Sequence, residues 1–274
     1  MIEEKDKYSY VVIGKAMEAH RELGPGLDEI FYHELLSAKL KAAGIPHRFK
    51  PKGQLIHRGL VADEFEADLI VGDELVLELK VLWDAFTPEN LLQIICYLKF
   101  WKLRAGLLFD FGKESLVHKR VVFVAPDADF GFTDFINSAP AGIKDKPALV
   151  TVGQSIARIL AEHGLGYRDT TYRGLIFADL QAEGIPCVRE PVTAVCSAAG
   201  LLGETKFNCL VLPGQCALHV TALRDTRQAA DRAVLQTYLR HLGLPWGLVI
   251  NFGKQRLDYQ YVVQLKPTLK KSPL

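Results

Sequence analysis

The sequence predicts two tandem copies of one α/β domain, each a central mixed sheet flanked by helices. Three observations carry this expectation. Blocks of sequence recur at a nearly constant offset, each copy shows the same helical and extended patterns in the same order, and 274 residues suffice for two domains of ordinary size.

The repeat is read directly from the chain. Gly44-Ile45-Pro46 returns as Gly184-Ile185-Pro186, and Gly24-Pro25-Gly26-Leu27-Asp28-Glu29-Ile30-Phe31-Tyr32 is echoed by Gly164-Leu165-Gly166-Tyr167-Arg168-Asp169-Thr170-Thr171-Tyr172, both at an offset of 140. Gly106-Leu107-Leu108-Phe109-Asp110-Phe111-Gly112-Lys113 matches Gly247-Leu248-Val249-Ile250-Asn251-Phe252-Gly253-Lys254 at 141, so one residue has been inserted between the blocks. The expected organisation is a domain over 1–125, a Pro-, Gly-, Asp- and Ser-rich linker over 126–148, and a second domain over 149–274. Phe130, Phe132, Phe135 and Ile136 predict that the linker packs against a domain.

In the first copy, periodicity predicts helices over about 9–22 and about 27–43, separated by a Gly-Pro-Gly break. Strands are expected near 54–60, 64–71 and 75–82, then a helix over 87–102 opened by Thr87-Pro88-Glu89, then strands near 104–110 and 116–124. The second copy repeats the pattern, with strands near 193–197, 205–212 and 216–222, a helix near 226–242, and strands near 246–251 and 257–264.

Composition narrows the class. No run approaches the ~20 uncharged apolar residues of a membrane span, and the charged opening MIEEKDKYSY is unlike a signal peptide, so a cytoplasmic protein is expected. Five cysteines without a CxxC pair fit reduced thiols and argue against a regular zinc module. Net charge is only +1, from −2 over residues 1–125 (17 basic, 19 acidic) and +3 over the remainder (16 and 13). Nucleic acid, if bound, must be held by local patches.

The segment from Phe65 to Lys80 carries the chemistry. Two apolar runs flank Gly72-Asp73-Glu74, a three-residue hairpin turn. Pairing Val71 with Leu75 sets Asp68 opposite Glu78. Like charges facing across a sheet are destabilising, so something must offset them. Glu78 and Lys80, two apart, share a face, while Leu77 and Leu79 take the other. Convergent carboxylates suit a hard cation such as Mg²⁺, which activates water and polarises a phosphoryl oxygen, and Lys80 would orient the water or stabilise developing charge. A solvated ion cluster fits the hairpin alone equally well.

Asp68, nine residues, then Glu78-Leu79-Lys80 is similar to the core of the PD-(D/E)XK nuclease superfamily. Gly26-Leu27-Asp28-Glu29-Ile30-Phe31-Tyr32, after His20-Arg21-Glu22-Leu23-Gly24-Pro25, resembles the prokaryotic GxxExxY family within it. Ala67-Asp68-Leu69, Leu77-Glu78-Leu79-Lys80 and Leu107-Leu108-Phe109-Asp110-Phe111-Gly112 extend the resemblance over residues 10–124. It implies two restriction-endonuclease-like domains, a Mg²⁺ (or Mn²⁺) site at Asp68 and Glu78, a catalytic Lys80, and nucleic acid, DNA foremost, as partner. Ala67 stands where the superfamily usually has proline. Glu29 is the candidate for a helix glutamate that joins such sites, with Tyr32 one turn on as a supporting residue; a surface Glu beside a half-buried Tyr fits the same spacing. Gln93-Ile94-Ile95-Cys96-Tyr97 resembles the QxxxY element of RecB-like nucleases and places Gln93 and Tyr97 on one helix face.

At an offset of 141, Cys209 replaces Asp68, His219 replaces Glu78, Thr221 replaces Lys80 and Val234 replaces Gln93, while Tyr238 keeps the tyrosine; Asp169 and Tyr172 soften the helix motif. The second copy is therefore expected to be degenerate and inactive, a built-in partner making the chain pseudo-dimeric. A zinc site from Cys209, His219 and Cys216 and a nucleic-acid face formed by Arg224, Arg227, Arg232 and Arg240 are alternatives to buried filler and a solvated helix. For the whole chain, the nuclease reading competes with a catalytically silent adaptor of nuclease fold and with a phosphodiesterase of small nucleotides.

Overall fold

The structure is a computed structural model that describes residues 7–124, 126, 129–197, 200–224 and 229–264. Arg227 lies outside the described residues. The chain divides into two compact units. The first comprises 1–56, 63–125 and 166–168, and the second comprises 57–62, 126–165 and 169–274.

In the first unit, α1 (Ser9–Leu23) and α2 (Glu29–Ala42) bury Val12, Ala16 and Ala19 and Tyr32, Leu36 and Leu40, residues three or four apart on one stripe of each helix. That stripe packs on Leu75, Leu77, Leu79, Leu107, Phe109 and Phe111. Strands β1 (His47–Phe49), β2 (Lys52–His57), β3 (Leu60–Glu66), β4 (Leu69–Val71) and β5 (Leu75–Lys80) follow. Helix α3 (Pro88–Trp101) starts at a Thr87 cap whose side chain and that of Asn90 exchange hydrogen bonds with each other's backbone N–H groups, with Pro88 as first helical residue. Strands β6 (Ala105–Asp110) and β7 (Val117–Val121) complete the unit. The sheet runs β1-β4-β5-β6-β7, with β5 and β6 parallel and the other pairs antiparallel.

Two features depart from the expected elements. The stretch 64–71 is not one strand: β3 pairs with β2, β4 with β1 and β5, and Ala67 and Asp68 lie between them. The break arises where Ala67 N–H donates to Pro51 O and Lys50 N–H to Asp68 O, turning the chain from one partner to the other. Strand β1 is also absent from the sequence reading, being only three residues held by pairing with β4.

The second unit carries α4 (Phe132–Asn137), α5 (Lys146–His163), α6 (Asp169–Ala182), β8 (Val188–Arg189), β9 (Val192–Ser197), β10 (Gly200–Lys206), β11 (Leu210–Leu212), β12 (Cys216–Ala222), α7 (Ala229–Leu242), β13 (Trp246–Phe252) and β14 (Leu257–Val263). Its sheet, β14-β13-β12-β11-β8, has the same order and sense as the first, with β12 and β13 parallel. Between the copies, Phe135 of α4 is fully buried against Tyr259 and Tyr261. Equivalent tyrosines brace each copy's first loop: Tyr32 donates to Gly24 O at 2.6 Å and stacks on Phe111, and Tyr172 donates to Gly164 O at 2.8 Å and stacks on Phe252.

Candidate functional site

The turn that aims β5 holds Gly72 and Asp73 at φ of 57° and 53°, a left-handed pair that suits glycine and aspartate. It sets Val71 opposite Leu75 and Leu69 opposite Leu77. Continued by one step, that register brings Asp68 to Glu78, but Asp68 lies outside the ladder, freed by the break before β4. Its side chain replaces the missing backbone partner: Oδ2 accepts from Leu79 N–H at 2.7 Å.

The site is acidic, and two of its carboxylates are buried. Asp68 and Glu78 are 6% and 1% exposed. Lys50 Nζ donates to Asp68 Oδ1 at 2.8 Å, and Lys80 Nζ donates to Glu78 Oε1. From α2, His33 Nε2 approaches Asp68 Oδ2 at 3.1 Å and Glu29 Oε1 at 3.6 Å without the alignment of a hydrogen bond to either. Glu29, His33 and Asp68 thus present donor atoms within 4.8 Å of one another. Two buried atoms, Glu78 Oε2 and His33 Nε2, have no hydrogen-bond partner among the described residues.

Such a cluster separates its members' proton affinities. Burial and then the charge of Asp68 push the Glu78 carboxyl up to about 8, with Lys80 pulling the other way. Burial alone would raise Asp68, yet the contacts from His33, Leu79 N–H and Lys50 outweigh it and hold that carboxyl below its ordinary value. Burial also lifts Glu29, partly offset by Lys80. Lys80 is depressed by burial, but Glu78, Glu29 and Asp68 overcome this and leave its pKa raised.

The remaining sequence-derived candidates are structural neighbours of this cluster. The Tyr32 hydroxyl points to the Gly24–Leu27 loop, where it also accepts from Leu27 N–H, and makes no hydrogen bond to the carboxylates. Gln93 donates to Tyr97 Oη at 2.8 Å, and Tyr97 donates to Glu66 O, two residues before Asp68, so the pair ties α3 to the backbone break. Sequence reasoning missed His33 and Lys50. His33 follows Glu29 by one helical turn, a signal available but not used. Lys50 had none, since its placement depends on a left-handed residue at the end of β1, φ 48°.

Two backbone hydrogen bonds of this construction recur in the second copy. Phe207 N–H donates to Pro191 O as Ala67 does to Pro51, and Glu190 N–H to Cys209 O as Lys50 does to Asp68. Phe207, Pro191 and Glu190 are offset by 140 and Cys209 by 141, so the inserted residue is Asn208, placed immediately before the position of Asp68. Arg173 stands in place of His33, 5% exposed, with Nη1 2.9 Å from Asp169 Oδ2 and Nη2 3.9 Å from Glu190 Oε1. His219 faces Asn208 O at 3.3 Å and Asp231 at 3.6 Å, and Thr221 Oγ1 donates to Asn251 Oδ1 at 3.3 Å. Among the described residues, no three of the Cys, His and acidic side chains here converge as metal donors, so the zinc alternative at Cys209, His219 and Cys216 is not supported.

A mixed five-stranded sheet bearing Glu-x-Lys on a central strand, with an aspartate delivered beside it, defines an α/β nuclease-type domain. The chain belongs to the PD-(D/E)XK nuclease superfamily, which it matches over residues 6–121 and again over 148–262. A search of curated proteins gives no significant match. Nine chains of solved structures match; one, described as the crystal structure of SSO0001, is 10% identical over 53% of this chain and 71% of its own, with a TM-score of 0.28. Members of the superfamily generally use divalent cations. The donors here fit one, because the Glu29 and Asp68 carboxylates converge with the His33 imidazole, and among the described residues His33 Nε2 and, beside this group, Glu78 Oε2 are buried without a partner.

Proposed function

We propose that the protein is a metal-dependent nuclease of the GxxExxY kind, hydrolysing phosphodiester bonds of nucleic acid, DNA foremost, in the cytoplasm. One active site lies in residues 1–125, with Asp68, Glu78, Lys80 and Glu29 as its reactive groups. The observation that carries the reading is Glu78 Oε2: a buried carboxylate oxygen without a partner among the described residues, beside a second carboxylate, is costly in a binding module and useful in a hydrolase.

Asp68 and Glu78 would hold Mg²⁺ or Mn²⁺, with Glu29 and His33 in reach. When bound, such an ion polarises a phosphoryl oxygen and lowers the pKa of a coordinated water. Lys80, now paired with Glu78, is the cation available to a phosphate that approaches the same face. Lys50 and Leu79 N–H fix Asp68, and the Gln93–Tyr97 pair fixes the backbone that presents it. Glu29, half-exposed and raised in pKa, is placed to exchange a proton with solvent at the rim.

In the second copy we propose a silent site. Asn208 displaces the backbone where the aspartate would sit, and the buried guanidinium of Arg173 supplies a permanent cation to Asp169 and Glu190. The test is Mg²⁺ and Mn²⁺ titration against single- and double-stranded DNA and RNA. Wild type should cleave, and Lys80→Ala and Asp68→Asn should each lose at least about 10²-fold. Equal cleavage by wild type and both variants would reject the assignment, and no cleavage by any would favour the adaptor.

A further inference from the structure

The second unit contains another convergence of ligand atoms, built from residues that the nuclease reading does not use. His57 ends β2 and enters a two-residue turn in which Arg58 and Gly59 have φ of 50° and 83°. This tip, residues 57–62, belongs to the second unit together with α5 and α6. The His57 ring is completely buried, with Nδ1 2.9 Å from His163 Nε2 and 3.0 Å from Glu162 Oε2; His163 Nε2 lies 3.5 Å from Glu162 Oε1.

The other side of the His57 ring fixes which nitrogen is available. Nε2 is 3.0 Å from Asp179 Oδ1, and Asp179 is gripped by Arg158 through Nε at 2.9 Å and Nη2 at 2.7 Å. Asp179 is therefore an acceptor, and the His57 proton sits on Nε2. In that tautomer Nδ1 turns its lone pair towards both Glu162 Oε2 and His163 Nε2. A proton on His163 Nε2 can serve only one of these neighbours at a time, whereas a cation among the three groups would satisfy all of them at once.

We propose that His57 Nδ1, His163 Nε2 and the Glu162 carboxylate form a zinc site, with Asp179 as the positioning residue behind His57. Tetrahedral zinc with bonds of ~2.0–2.1 Å sets its ligand atoms about 3.3 Å apart, the spacing found here within a few tenths of an ångström. Imidazole donors select zinc over Mg²⁺. A carboxylate hydrogen-bonded to the far nitrogen of a ligating histidine is the usual support for such a ligand. Glu162, about half exposed, gives solvent access and room for a water as fourth ligand. The expectation against a regular zinc module rested on cysteine spacing alone, and this site uses no cysteine. Bound zinc would pin the Arg58–Gly59 turn to the C-terminal end of α5.

The experiment uses the full chain carrying Asp68→Asn, which removes a donor of the other acidic cluster, stripped of metal and titrated with Zn²⁺ and separately with Co²⁺. One equivalent should bind, with the intense visible bands of tetrahedral Co²⁺. His163→Gln and Glu162→Gln, checked for native far-UV circular dichroism, should each weaken binding about 100-fold, and Asp179→Asn about 10–100-fold. No binding at micromolar Zn²⁺, octahedral Co²⁺ spectra, or stoichiometry and affinity unchanged in folded His163→Gln and Glu162→Gln would overturn the site. A protonated His57 bridging Asp179 and Glu162 would account for the first of those outcomes.

Discussion

Glu78→Gln measures the electrostatic tension of the proposed active site directly. In the folded protein Glu78 is 1% exposed, and burial followed by the charge of Asp68 raises its carboxyl from 4.5 to about 8. Between those two values the folded state keeps a proton that the unfolded state has released. Wild-type stability therefore falls as pH rises through this window, at ~1.4 kcal/mol per pH unit for one proton. Glutamine mimics the protonated acid and has no such slope. Glu29, raised by burial, acts in the same direction as Glu78, whereas His219, depressed by burial, loses its contribution as pH falls below 6.5. Both are common to the two proteins; His219 cancels in the difference, whereas Glu29, whose charge acts on Glu78, adds a smaller part to it. Urea unfolding in chelator at about pH 5.5 and about pH 7.5 should show Glu78→Gln gaining ~2.7 kcal/mol relative to wild type. Parallel pH curves would refute a proton-holding Glu78. Adding Mn²⁺ should stabilise wild type more than the variant, because the variant has lost one of the carboxylates while keeping Asp68 and Glu29, and binding to the folded state adds stability by mass action.

Three further variants probe the scaffold. Tyr32→Phe leaves Gly24 O and Leu27 N–H without the hydroxyl between them, and the urea midpoint should report a loss of ~1–3 kcal/mol. Gly112→Ala puts a Cβ 2.4 Å from Leu82 O and 2.8 Å from Leu82 N, backbone atoms just beyond Lys80; about 1–3 kcal/mol of stability and most cleavage should be lost together. Arg173→Leu removes the cation from Asp169 and Glu190, which should cost ~1.5–3 kcal/mol by thermal unfolding without lowering cleavage. Reduced cleavage in a folded Arg173→Leu protein would argue against the silent second site.

The sequence by itself determined the architecture, because a duplication leaves marks that survive divergence. Helical stripes such as Tyr32, Leu36 and Leu40, and the Gly72-Asp73 turn that sets Val71 against Leu75, are local patterns with only one way to bury their apolar faces. Asp68, Glu78 and Lys80 were legible for the same reason, since their spacing across a hairpin is a matter of register. Only the tertiary structure decided what surrounds them. The break between β3 and β4, the left-handed Lys50 that reaches Asp68, and the placement of His33 beside it depend on strands pairing with distant partners, and no window of sequence contains both sides of such a contact. The same holds for Asn208, which the offset announces as one extra residue but which only equivalent backbone hydrogen bonds locate. It holds most strongly for His57, which lies 106 positions before His163 in the chain and 2.9 Å from it in the fold.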